Sequence, residues 1–66
     1  MDQIKYTREQ WMIDAASALA EAHQAKYEED IEHWNAWAES LADMFFCDPD
    51  RRWTPEEAVW EDLSNL

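Results

Sequence analysis

Two histidines, one cysteine and sixteen carboxylates are the groups in this 66-residue chain that could do chemistry. Asp30-x-x-His33 and Glu29-x-x-x-His33 would set a carboxylate and an imidazole on one face of a helix. Di-iron bundles present their ligands with that spacing, but they need several such pairs converging. With two histidines in the chain, His33 reads as an ordinary surface residue and no metal is expected. His23 falls among alanines and a leucine on an apolar face, and reads as an interface histidine with a hydrogen-bond partner. Cys47 precedes Asp48 and Asp50, and negative neighbours disfavour a thiolate, so it reads as a small packing residue. A chain without glycine has no Gly-rich phosphate loop and no serine elbow. Paired carboxylates that cleave glycosides need a cleft to raise one pKa, and a thin helical chain offers none. The expectation is a non-enzymatic protein with no catalytic residues, no metal and no cofactor.

The elements that must carry the remaining function are helices. Glycine is absent and the first proline is Pro49, so the usual breakers of regular structure are missing from residues 7–46. Thr7-Arg8-Glu9-Gln10 reads as a capping box, and Ala-rich sequence follows. Cys47-Asp48-Pro49-Asp50 ends the segment, because a proline disfavours a helical residue before it. Thr54-Pro55-Glu56-Glu57 is a second start, opening a short helix over about 55–63. At 100° per residue, Asp14, Ser17, Glu21, Gln24, Glu28, Glu32, Asn35, Glu39 and Asp43 form one polar stripe without a phase jump. That continuity predicts one long helix over about 7–46. Forty residues would reach ~60 Å, whereas a compact chain of this size has a radius of gyration near ~11 Å. The rod must therefore pair with a second copy as a homodimer, or break near 26–30, where Asp30 would serve as N-cap. The unbroken, self-associating rod is preferred; a hairpin closed by the 55–63 helix is the alternative. Either way the fold is an all-α small helical bundle, one acidic domain over 1–66.

Composition bounds the partner. Sixteen acids against five bases give a net charge of −11, yet 47% hydrophobic residues and five tryptophans mark a chain that packs a core. Residues 1–26 carry a net −1 and residues 27–66 a net −10, with no Lys or Arg from Tyr27 to Asp50. Direct contact with nucleic acid or an anionic membrane is disfavoured by repulsion, and a cationic partner is favoured. A single cysteine, no apolar run of membrane-spanning length and no hydrophobic leader in Met1-Asp2-Gln3-Ile4-Lys5 predict a cytoplasmic protein.

The acids and aromatics are the candidate contact groups. Solvated helix faces usually interleave opposite charges, while like charges four apart cost tenths of a kcal/mol. Glu28/Glu32 and Glu39/Asp43 are such like-charge pairs without basic neighbours in sequence, so a compensating use is expected. Carboxylates one turn apart lie ~6 Å from each other, of the same order as the phosphate spacing of a nucleic-acid strand. The stripe Glu28, Glu29, Glu32, Glu39 and Asp43 is thus expected to bind a basic nucleic-acid-binding protein or complex. Five tryptophans are first explained by the need for a core, with Trp34 on the apolar stripe and Trp37 on its edge; Trp37, Phe46 and Trp53 are also the candidate aromatic anchors, Phe46 because it falls on the acidic side of the helix. A small adaptor or dimeric regulator binding through Trp53, Trp60, Phe46 and the Ala-rich face of 15–22 is the alternative.

In size, acidity, lone cysteine and the carboxylates Glu28, Glu32, Glu39 and Asp43, the chain resembles the small acidic anti-defence proteins of bacteriophages. These include DNA-mimic anti-CRISPR and anti-restriction proteins. The resemblance lies in profile, not motif, and lends no site residues. It implies an inhibitor that occupies a basic nucleic-acid channel inside a bacterial host cell.

Overall fold

In a computed structural model, the described residues are 6–64, so residues 1–5 and 65–66 of the expected domain lie outside them. Three α-helices follow one another: α1 (Arg8–Ala22), α2 (Ile31–Leu41) and α3 (Pro55–Ser64). A 3₁₀ turn (Tyr27–Glu29) precedes α2, and a π-helical turn (Ala42–Phe46) continues it. The described residues contain no strand.

The continuous helix over 7–46 is corrected by this order: α1 and α2 form a hairpin that α3 closes. The break begins at His23, ahead of the 26–30 region. Thr7 starts α1 in extended conformation, its hydroxyl accepting the Gln10 N–H at 3.1 Å. The Gln10 side chain reaches forward to Asp14 at 3.0 Å, so the expected capping box is made only from the Thr7 side. At the other end the Ala25 N–H donates to the Ala20 carbonyl at 2.8 Å, and Gln24 N–H to Glu21 at 2.9 Å. These two bonds make a Schellman motif, with Gln24 at φ 56° in the left-handed position that glycine usually fills. A chain without glycine stops its helix there at a cost of roughly 1–2 kcal/mol. Asp30 does sit at the N-cap of α2, but its side chain makes no capping bond.

The turn 42–46 explains a second departure. Cys47 N–H donates to the Ala42 carbonyl at 3.1 Å, an i→i+5 bond. A π turn holds one more residue than an α turn and re-aims the side chains after it. Phe46 thereby leaves the acidic side and packs its ring 5.8 Å from Trp11, while Phe45 meets Trp53 at 4.8 Å. The start of α3 forms as expected. Thr54 Oγ accepts the Glu57 N–H at 3.2 Å, and Glu57 Oε1 accepts the Thr54 N–H at 3.1 Å.

The core explains why the hairpin forms. Trp11, Leu19, Trp34, Leu41 and Val59 are buried together with Ala15, Ala16, Ala20, Ala38, Ala42 and Ala58. Alanines at six of these eleven positions let the helices approach closely, and the tryptophans fill the volume between them. An extended rod would leave Leu19 and Leu41 wet, at about 1.5–3 kcal/mol each. The radius of gyration is 11.5 Å, close to the ~11 Å of a compact chain.

Candidate partner-binding surface

The hairpin divides the polar stripe. Asp14, Ser17 and Glu21 of α1 face α3, lining a groove with Pro55 and Glu56. Asn35 of α2 instead lines a groove with Arg8, Met12 and Ile13 of α1, and Asp43 pairs with Arg8. The row that α2 and its flanks retain is Glu28, Glu29, Glu32, Glu39 and Asp43. All five are exposed. From Glu32 to Asp43 the row covers ~16 Å, where the unbroken rod would have given ~44 Å from Asp14.

One expectation about these acids and one about Cys47 are corrected. Asp43 is not without a base: the Arg8 guanidinium, brought over from α1, hydrogen-bonds its carboxylate. Arg8 also points its other terminal guanidinium nitrogen at the Cys47 sulfur, 3.4 Å away; Cys47 is exposed and not the packing residue expected, and it has a cation beside it as well as its acidic sequence neighbours. The other ion pair recorded among the described residues is Arg51–Glu57 at 3.2 Å. Glu28, Glu29, Glu32 and Glu39 take part in neither pair. Glu28 and Glu29 stand in the 3₁₀ turn and Glu32 in the first turn of α2, where carboxylates favour the positive end of a helix dipole.

The three expected anchors are engaged inside the molecule. Trp37 is half-buried, its ring stacked on Trp34 at 6.3 Å and its indole N–H donated to Asp62 at 3.0 Å. Phe46 is half-buried against Trp11. Trp53 lies between Phe45 and Arg51, whose guanidinium stands 3.8 Å over its ring. The Trp53 indole N–H donates to Asp48 at 3.0 Å, and its carbonyl accepts the Trp11 indole N–H at 2.8 Å. Asp48 is held below the ordinary carboxylate range, first by the Asp50 backbone N–H and then by the Trp53 indole. Glu57 is lowered likewise, first by the Thr54 backbone N–H. These carboxylates hold the 47–54 loop and the α3 start in place. The aromatic that sequence reading underweighted is Trp60, 69% exposed on α3. Its position three residues from both Glu57 and Leu63 is visible in the sequence, but which face α3 would bury is not.

The histidines lie against tryptophans. His23 caps α1, with Nδ1 2.8 Å from the Leu19 carbonyl and its ring 5.4 Å from Trp34 and 5.2 Å from Trp37. It thus has the expected hydrogen-bond partner, within one copy of the chain. His33 packs edge-on against Trp34 at 4.7 Å. Among the described residues no three His, Cys, Asp or Glu side chains are grouped to hold a metal ion. No described helix is long and apolar enough to cross a membrane.

A groove between α1 and the Tyr27–Asn35 segment has a volume of about 600 Å³ and is mostly apolar, and none of the five row carboxylates lines it. Met12 and Ile13 supply its wall from α1, and the Tyr27 hydroxyl, donating to Asn35 at 2.9 Å, closes one end. Its charged lining among the described residues is the pair Arg8 and Glu9 of α1. No protein-family model, curated protein or solved structure matches this chain.

Proposed function

We propose that this protein is a non-enzymatic binder that uses the α2 row to occupy a basic, nucleic-acid-binding surface of a partner protein, as an inhibitor that substitutes for the polyanion. The observation that carries the reading is that, among the described residues, neither recorded ion pair involves Glu28, Glu29, Glu32 or Glu39. These four are exposed and stand on the 3₁₀ turn and α2. The row's ~16 Å length corresponds to about five phosphate steps of one nucleic-acid strand. A net charge of −11 adds long-range steering toward a cationic groove.

The test is capture of basic proteins from a cell extract by the immobilised chain, with duplex DNA as competitor. DNA should displace the captured proteins, raised salt should release them, and E28Q/E29Q/E32Q/E39Q should fail to retain them. Capture that ignores salt, DNA and that variant would remove the proposal.

A second reading, an adaptor that docks through apolar surface, is favoured by Trp60. It predicts that Trp60→Ala weakens capture more than the four-glutamate variant does.

A further inference from the structure

We infer that the groove between α1 and α3 is a second docking site, and that its occupant is an arginine-bearing segment of a partner protein. Two adjoining hollows make this groove, of about 270 and 250 Å³. Each is smaller than the ~300–1,000 Å³ that small-molecule sites need, and each suits a single long side chain. They share Ala18, Glu21 and Glu56. Ala18 and Ala22 form a low floor, Val59 and Trp60 form the wall at one end, and Tyr6 stands at the other.

Charge and shape together select the occupant. Asp14, Glu21 and Glu56 line the groove, and among the described residues no lysine or arginine does. An anionic or purely apolar segment would leave these carboxylates uncompensated as they lost water, which is costly. A cation satisfies them. Asp14 and Glu21 lie two helical turns apart, ~10 Å, so they receive charges from two side chains and not one. Trp60, at 69% exposure, is the largest apolar side chain left open on the described surface. An indole face beside carboxylates favours guanidinium over ammonium, because the planar group stacks on the ring while its N–H donors reach the acids. The chain already makes this arrangement internally, with Arg51 over Trp53 and bonded to Glu57.

The groove lies on the α3 side of α1, away from the α2 row, so this inference goes beyond the proposed function and does not depend on it. Capped hexa-arginine and hexa-lysine peptides are the probes, titrated into the intact isotope-labelled protein and followed by NMR. Hexa-arginine should move the Trp60 indole N–H and the Ala18 and Ala22 amides saturably, and bind more tightly than hexa-lysine. Trp60→Ala should weaken hexa-arginine about fivefold to tenfold, and Glu21→Gln with Glu56→Gln should do so without touching the ring. The variant E28Q/E29Q/E32Q/E39Q should keep the Trp60 shifts even though it removes the α2 row. An unmoved Trp60 indole, unchanged affinity in both groove variants, or equal binding of the two peptides would overturn the assignment.

Discussion

Trp11 and Trp34 are both buried, yet their indole N–H groups meet opposite fates. Trp11 donates to the Trp53 carbonyl at 2.8 Å and so ties α1 to the loop before α3. The Trp34 Nε1 is buried with no acceptor, at a desolvation cost of roughly 1–3 kcal/mol. Phenylalanine at the two positions should therefore behave differently. W11F strands a carbonyl and should cost roughly 1–3 kcal/mol in urea unfolding, a large part of the ~3–10 kcal/mol of a chain this size. W34F removes an unsatisfied donor along with some packing and should cost clearly less; the reverse order would refute this account. Asp48 and Glu57 belong to the same scale. Their folded pKa values are lowered, so the stability they add is complete above the ordinary carboxylate range and is lost as pH falls through the folded values. D48N and E57Q should each lower the melting temperature at pH 7 and flatten the acid limb of the stability curve. A variant with the wild-type acid limb would contradict the bonding described.

At the scale of elements, the molecule turns on two short irregularities. The first is the Schellman turn at His23–Ala25, where Gln24 takes a left-handed conformation. Gln24→Gly relieves the steric penalty of a Cβ there and should raise stability by up to about 1 kcal/mol, the unfolded-state entropy of glycine offsetting part of the gain. A fall in stability would mean that the turn is not formed as described. The second is the π turn at Ala42–Phe46, which directs Phe45 and Phe46 to separate partners, Trp53 and Trp11. Both irregularities act on packing, and both decide where charge goes. The first sends Asp14 and Glu21 of α1 toward α3 and leaves Glu32 and Glu39 of α2 exposed elsewhere. Without it the molecule would carry one long stripe; with it the acids are divided between the α1–α3 groove and the exposed row of α2 and its flanks.

For the whole molecule the governing quantity is charge. A net −11 sits on a body whose principal extents are 35, 23 and 20 Å. None of the three α-helices has a basic residue in its last turn to offset the dipole. Folding therefore works against self-repulsion that added salt screens. The melting temperature should climb by several degrees between about 20 mM and 0.5 M NaCl, since ~1 kcal/mol corresponds to ~4–8 °C in a domain of this size. A flat or falling response would mean that the surface acids are already compensated within the chain. The same salt that stabilises the free protein should weaken its complex with a basic partner, and the two trends can be followed in one series of buffers.

Helical class, the start of α1 at Thr7, the complete capping box at Thr54 and Glu57, and the existence of a core were all legible in the sequence. Each depends on residues within one turn of each other, or on composition alone. The reversal was legible only as the alternative of a hairpin broken near 26–30, and its start at His23–Ala25 was not: a glutamine rarely enters the left-handed region, and the polar phase runs through it unbroken. Nor was the π turn, which leaves no local mark beyond a cluster of apolar residues. Both are settled by burial of Trp11, Leu19, Trp34 and Leu41, a gain shared between segments distant along the chain. The partnership of Arg8 with Asp43 and the internal engagement of Phe46 and Trp53 follow from that reversal, as does the exposure of Trp60. The sequence by itself determined how much negative charge the surface carries and that helices display it. Only the tertiary structure decided which carboxylates share a face, because that depends on where the rod folds back, and the fold-back is governed by long-range packing, not by local propensity.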